Sequence, residues 1–486
     1  MNNLRSILVA FGSVAERAVS SRVPRRGWAK WSFWGWIGLC VVSSGLCLTQ
    51  QPWVWLRSRN LNAQAVESLG GMGYALFDFG EMSLNYWRTM NLGSVDTAPY
   101  RLYLQGLAAR RRPVPLVPAP RKHLIYVQME SAEGLLIGAH YLGRPLMPFL
   151  DSLAHKEVYF ANVIDNTAGG RTTDAQVLVQ TSQVPLRSAP VYVSQPLGRI
   201  PTLPKALKAA GYRSWLMSGF IGSFGNCRAA QQAMGYDELL FSERLDSREQ
   251  LGWGVSDRSI LRQAAQRIIA AKEPTFAHVI LLTNHHPYNF VREAQKLPDA
   301  GIVSDYALSV HYMDECIAGF FAELRAAGVL DNCIIALYGD HDSSITSRLE
   351  REFQDVPQRL LSDSVPLIVV GLPEAPRRIE AVAGLQDVPV IMLEALGLPV
   401  PLTFTGNGID EGGRTVAAMY GALESTAQGL VASPMPVSQE TLTLLALRYP
   451  EKLLAPLNRT LSYFASSDWG SRGSARRRVR RWQWTR

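Results

Sequence analysis

From His123 onward the chain alternates short apolar runs with amphipathic stretches, and this alternation narrows the fold more than any other feature. Leu124-Ile125-Tyr126-Val127-Gln128-Met129 is too short for a buried helix and stops at Glu130. Such a run is the mark of a strand covered on both faces. Similar runs occupy residues 158–164, 214–217, 277–283, 333–338 and 366–371. Helical periodicity fills the intervals at 147–154, 173–181, 202–210, 257–271, 304–327 and 388–396. Strands alternating with helices predict an α/β domain over residues 122–412, with a mostly parallel central sheet flanked by helices. Ligands of such sheets gather at the carboxyl ends of the strands. The residues that close each run therefore carry the functional information.

Those residues are rich in chemistry. The first run closes on Glu130, the fourth on Thr283-Asn284-His285-His286-Pro287-Tyr288, and the fifth on Gly339-Asp340-His341-Asp342. Two carboxylates and an imidazole meeting at one sheet edge suit a divalent metal. After the second run comes Gly169-Gly170-Arg171-Thr172-Thr173-Asp174. Glycines allow a sharp turn and close approach to a ligand. A hydroxyl just beyond, next to a cation, is suited to act as nucleophile or metal ligand. Each feature has a plainer alternative: Glu130 or Thr172 capping a helix, and Asp340-His341-Asp342 forming a polar turn. Their recurrence at matching strand ends favours the site.

Charge is unevenly distributed along the 486 residues, whose formal net charge is +8. Residues 1–30 carry Arg5, Arg17, Arg22, Arg25, Arg26 and Lys30 against Glu16 alone, and 471–486 form an arginine-rich tail without acids. The middle is close to neutral, so nucleic acid is not an expected partner of the main domain. Residues 31–56 hold no charge and carry tryptophans at both ends. This predicts an uncleaved, single-pass transmembrane helix with a basic cytoplasmic N-terminus and the remainder outside. Leu39 before Cys40 and Leu46 before Cys47 disfavour lipidation of either cysteine. Residues 57–95 suggest amphipathic helices near the membrane, and 96–121, with Pro99, Pro113, Pro115, Pro118 and Pro120, a stiff basic linker. Residues 413–470 are expected to be helical. The absence of a CxxC pair excludes a cysteine zinc knuckle, and the sparse cysteines argue against a disulfide framework.

Taken together, Glu130 after a strand, Gly-Arg-Thr172-Thr-Asp, Asn-His285-x-Pro-Tyr and Tyr-Gly-Asp340-His341 resemble the extracellular domain of lipoteichoic acid synthases. Met147-Pro148-Phe149-Leu150 and His311-Tyr312-Met313-Asp314 extend the resemblance over about residues 120–410. It implies an alkaline-phosphatase-like fold of the sulfatase superfamily. It also implies one divalent metal on Glu130, Thr172, Asp340 and His341, manganese first, with zinc or magnesium as alternatives. Thr172 would be the nucleophile, and His285 would contact the phosphate or the departing oxygen. The expected partners are a phospholipid donor, a glycan or glycolipid acceptor and the bacterial inner or plasma membrane, with the catalytic domain periplasmic or extracellular. No formylglycine-type C/S-x-P-x-R motif lies near Thr172, and His341 is the last histidine, which favours one metal over two.

The resemblance is weakest at the substrate grip. Lipoteichoic acid synthases carry a His, a Trp and an Arg ahead of a Gly-Tyr-Asp. Counted back from Gly235-Tyr236-Asp237, those places fall at Ser218, Gly225 and Cys227. Arg228 is the candidate replacement for the lost cation, with Arg171 a second candidate for phosphate. Asp342 is either a support for the metal ligands or exposed, and His286 is structural or solvent-facing. His123, His140, His155, His278 and His311 lack metal-ligand spacing and are expected at the surface or satisfied in the core. The expected activity is transfer of a phosphoglycerol-type group through a phosphothreonine. The alternatives are a phosphodiesterase or phosphoethanolamine transferase on the same site, or a catalytically lapsed envelope protein that binds lipid or polymer.

Overall fold

The computed structural model describes residues 90–113, 121–186, 190–297, 301–353, 363–409, 415–418, 421–426, 429–433 and 437–454, with isolated positions at 73, 80 and 83. The chain divides into two units, Met1–Tyr86 and Trp87–Arg486, and the elements below all belong to the second. The predicted span at 31–56 and the arginine tail lie outside the described residues. Among the described residues no helix is long and apolar enough to cross a membrane.

Nine strands form the central sheet: β1 His123–Met129, β2 Val158–Ile164, β3 Arg213–Ser218, β4 Glu238–Leu240, β5 Thr275–Ile280, β6 Cys333–Gly339, β7 Ser364–Val370, β8 Arg377–Ile379 and β9 Ala383–Gly384. Their order is β8-β2-β7-β6-β1-β5-β3-β4, with β9 also on β2. Every pairing is parallel except those of β7, which runs antiparallel to both β6 and β2. The six apolar runs predicted as strands are all strands, each within a few residues of its expected bounds.

Burial explains why the runs are continuous rather than alternating. Ile125, Val127 and Met129 of β1 enter one core and Leu124 and Tyr126 the other. Helices α1 Pro148–Lys156, α2 Thr172–Thr181, α3 Leu203–Ala209, α4 Asp257–Ile269, α5 Asp305–Ala326 and α6 Val388–Ala395 cover the two faces. The apolar stripes of α1, α4 and α5 pack on the first core, and those of α2, α3 and α6 on the second. A sheet buried on both faces needs apolar residues at every position.

Two sequence expectations are corrected. Within the stretch read as a linker, Ala98–Ala109 is a helix. Pro99 stands in its first turn, where proline starts helices rather than preventing them. Leu104 and Leu107 are buried in a third cluster with Leu442 and Leu445, and Arg111 donates to the Pro401 carbonyl at 3.0 Å. Residues 413–470, expected to be helical, open with antiparallel strands Thr415–Ala418, Gly421–Thr426 and Gly429–Ser433. Helices Gln439–Arg448 and Pro450–Leu454 come after them.

Candidate active site

Parallel register builds the first half of the site. Met129 of β1 lies opposite Gly339 of β6, so Glu130 and Asp340 leave the sheet side by side. Both are buried, as is His341. The Asp340 carboxylate is fixed from three directions. Its Oδ1 accepts from the Ser131 and His341 backbone N–H groups at 2.8 and 2.9 Å, and its Oδ2 accepts from Gln128 Nε2 at 3.1 Å. His341 Nε2 lies 3.4 Å from Glu130 Oε1 and 3.6 Å from Asp340 Oδ2.

The turn before α2 supplies the hydroxyl. Buried Asp174 accepts from the Ala168 and Gly170 N–H groups at 3.0 and 2.8 Å, folding the turn back onto the helix. A Cβ at Gly170 would lie 2.2 Å from Asp174 Oδ1, so the glycine is required by close approach. Arg171 takes φ +45°, a costly conformation for a side-chain-bearing residue. The result is Thr172 at the first position of α2, its Oγ1 3.2 Å from His341 Nε2 and 3.5 Å from Glu130 Oε2. A helix N-terminus facing the reacting atoms favours developing negative charge.

Arg171 folds back over the histidine. Its guanidinium pairs with Asp342 Oδ1 at 3.0 Å and lies 2.9 Å from His341 Nδ1, which itself contacts the Asp342 carbonyl at 2.7 Å. In the tautomer with Nδ1 donating to that carbonyl, Nε2 would be the nitrogen free to hold a metal. Asp342 is thus a support for the site, held in turn through its N–H on Asp165 at 2.9 Å.

The electrostatics call for a cation. Burial, and then the charge of Glu130, raise the Asp340 carboxyl to about 7. Burial alone would lower His341, but Asp340 and Glu130 overrule it and raise the imidazole to about 10. Two buried carboxylates crowd each other unless a positive charge stands between them. The ligand atoms of Glu130, Asp340 and His341 all lie within 4.8 Å of one another, the one such cluster among the described residues. Oxygen and imidazole donors at that spacing fit a divalent metal.

His285 sits beyond β5 on the rim. It is half-buried and covered by the Trp253 ring at 4.2 Å between centroids. It is also close enough to act on Glu130: burial alone would raise that carboxyl, but His341, and then the charge of His285, lower it. His286 is exposed. Arg228 does not join the cluster. It pairs with Glu243 at 3.1 Å and packs over Phe241, and none of its described contacts reaches Thr172 or the metal ligands.

Sequence reasoning missed the supports. His278, expected at the surface or satisfied in the core, is fully buried and lowered to about 3 by that burial, hence neutral. Tyr236 Oη lies 2.9 Å from its Nδ1, and its Nε2 lies 2.9 Å from Tyr338 Oη. Tyr338 donates to Gln128 Oε1 at 3.1 Å, and Gln128 donates to Asp340. Because Tyr338 spends its proton on Gln128, His278 must donate from Nε2 and accept at Nδ1. Every donor in this chain then points toward Asp340. The alternation along β1 and β6 could have placed Gln128 and Tyr338 on one face, but not their partners.

The sheet, the glycine turn ahead of Thr172 and the buried Glu130–Asp340–His341 trio go with an alkaline-phosphatase-like α/β fold. Residues 122–398, more than half of the chain, match the Sulfatase family, and the chain belongs to that family. Among curated proteins it is similar to lipoteichoic acid synthase 1 of Bacillus subtilis, 27% identical over 61% of this chain and 48% of the relative. It is also similar to lipoteichoic acid synthase 2 of the same organism, 26% identical over 74% of this chain and 57% of the relative. The chain thus spans about half the length of the curated relatives it matches. In fold it is similar to the lipoteichoic acid synthase LtaP of Listeria monocytogenes, with TM-score 0.54 and 20% identity over 74% of this chain and 92% of that one. A Vibrio parahaemolyticus protein of the alkaline phosphatase superfamily gives TM-score 0.55 and 17% identity over 78% and 98%.

Proposed function

We propose that this protein is a membrane-anchored phosphotransferase that moves a phosphoglycerol-type group from a phospholipid to an envelope glycan or glycolipid. The observation that carries the reading is the Thr172 hydroxyl, held at the start of α2 within 3.5 Å of both His341 and Glu130. A lapsed, purely binding protein has no need of that arrangement. The anchor is the uncharged span at 31–56, which places the catalytic domain outside the cytoplasm.

Glu130, Asp340, His341 and Thr172 would hold one divalent metal, manganese in this reading. When bound, it lowers the proton affinity of the hydroxyl and offsets charge on the phosphoryl group. Thr172 Oγ1 gives up its proton and attacks phosphorus, the bond to the lipid's diacylglycerol oxygen breaks, that oxygen takes up a proton and leaves as diacylglycerol, and a phosphothreonine remains. The α2 N-terminus and His285 face the charge that develops on the phosphoryl and departing oxygens. A hydroxyl of the acceptor then attacks the phosphothreonine and frees Thr172. Arg171 and Asp342 keep the His341 ring oriented through both steps.

The test is intact mass of the full chain after incubation with manganese and mixed bacterial phospholipids. A Thr172→Ala chain serves as control. The expected result is a phosphoglycerol mass increase on the native chain alone. Free head group without an adduct would replace transfer by hydrolysis, and neither product on the metal-loaded chain would sink the reading.

A further inference from the structure

Beside His285 the surface carries a line of aromatic rings that the metal chemistry leaves unused. Trp253 lies 4.2 Å from His285 with the rings tilted by 38°, Phe220 lies 5.7 Å from Trp253, and Phe224 lies 5.2 Å from Phe220. Ile221 flanks the line. Trp253, Ile221 and Phe224 are 39%, 44% and 56% exposed. An apolar surface of this kind, continuous with a reaction centre, is a ligand surface rather than scattered exposure.

The line is rigid. Trp253 sits at the tip of a two-residue turn between strands Gln250–Leu251 and Gly254–Val255. The hairpin is clamped by the Val255 N–H on the Gly219 carbonyl at 3.0 Å. A Cβ on Gly254 would lie 2.1 Å from that carbonyl oxygen, so the clamp depends on backbone against backbone. A tryptophan presented to solvent from so tight a support is preorganised for contact.

Its chemistry selects the occupant. None of the five residues Phe220, Ile221, Phe224, Trp253 and His285 is a fixed charge. Arg228, a cation beside this segment, pairs with Glu243, whose Oε1 also accepts from the Gly222 N–H at 3.2 Å. A polyanionic acceptor would require free cations there, and a sugar would find hydrogen-bonding side chains at His285 and the adjoining His286 but none on Phe220, Ile221 or Phe224. An acyl chain requires neither. We propose that this line is the subsite for the diacylglycerol arm of the donor phospholipid, running outward from the departing oxygen at His285. The proposal rests on the phosphotransferase reading above.

The test uses the full chain in amphipol, loaded with manganese, and two soluble donors: dihexanoyl phosphatidylglycerol as monomers, and glycerophosphoglycerol, which has the same head group without acyl chains. The readout is the ratio of their Thr172 adduct rates within each protein. Losing apolar contact with a few methylenes predicts that Phe224→Ser lowers the acyl-to-deacylated ratio by about tenfold, and Trp253→Ala by more. An unchanged ratio in both variants, with the adduct still forming on Thr172, overturns the subsite and leaves the phosphotransferase standing. The subsite is likewise overturned if only reaction from vesicles falls, which would make the line a bilayer contact. No adduct from either donor on the metal-loaded native chain overturns both.

Discussion

The buried corner around Asp340 and the exposed rim around His285 lie close together, yet they are built in opposite ways. Glu130, Asp340 and His341 are set by parallel register between β1 and β6, and Asp340 alone accepts three hydrogen bonds. His285 and Trp253 sit on loops, half-exposed, and hold each other mainly by ring contact. Strand ends fix atoms to within a fraction of an ångström, as metal coordination and in-line attack require. Loops can change residues without disturbing that geometry. Under the proposed function the corner would set the reaction and the rim the substrate, and the departures from the synthase pattern at Ser218, Gly225 and Cys227 spare Glu130, Thr172, Asp340 and His341.

The largest effect should separate nucleophile from metal site within the corner. Thr172→Ala should lower turnover by about a thousandfold or more while the chain, keeping three of the four metal-holding side chains, still takes up manganese with reduced affinity. Asp340→Asn should lose both, read by metal content after dialysis. If Thr172→Ala retained substantial turnover, the corner would not hold the nucleophile. The rim should behave differently. His285→Ala should cost about a hundredfold in turnover with metal affinity unchanged, the scale of a lost proton-transfer or phosphate contact. Equal loss of metal would merge the two regions into one.

Smaller effects probe what supports each region. Gln128→Leu breaks the hydrogen-bond chain that ends on Asp340 and should weaken manganese binding about tenfold, measured by calorimetry on the folded protein. Unaltered affinity would make the Tyr236–His278–Tyr338–Gln128 chain ordinary core. On the rim side, Asp257 of α4 accepts from the Leu282 and Thr283 N–H groups, at 2.8 and 3.0 Å, just ahead of His285. Burial raises its carboxyl to about 6. Its contribution to stability is therefore complete below the unfolded value of about 4 and lost as pH rises past 6. Asp257→Asn keeps the accepting oxygen and cannot ionise. It should match the native chain near pH 4 and exceed it by ~3 kcal/mol at pH 8 in denaturant melts. A gap that did not change with pH would show that Asp257 does not titrate with folding.

The sequence made the corner legible because each of its residues directly succeeds an apolar run, and a run's end is a local signal. The direction of β7 was not legible. Ser364–Val370 is buried on both faces, and such a run reads the same whichever way it pairs. The pairing of Arg228 was hidden for a related reason. Its neighbour in sequence suggested a substrate role, but its partner Glu243 is fifteen residues away and becomes adjacent only through the fold. Trp253 gave no sign of its exposure, since a lone tryptophan between two glycines belongs to no periodic pattern. His278, expected either at the surface or satisfied in the core, is buried, but the chain leading from it to Asp340 needs three strands to be aligned.

The docked helix Ala98–Ala109 has a practical consequence for anyone preparing the catalytic domain. The prolines after it invite a cut near residue 115 to free the domain from its N-terminal region. That cut would remove Leu104 and Leu107 from the cluster they share with Leu442 and Leu445. It would also remove the Arg101 donor from the Lys452 carbonyl, an interaction bridging 351 positions of chain. The stripped face would be an apolar patch of the kind that drives aggregation. A soluble fragment should begin ahead of Leu92, which belongs to the same cluster.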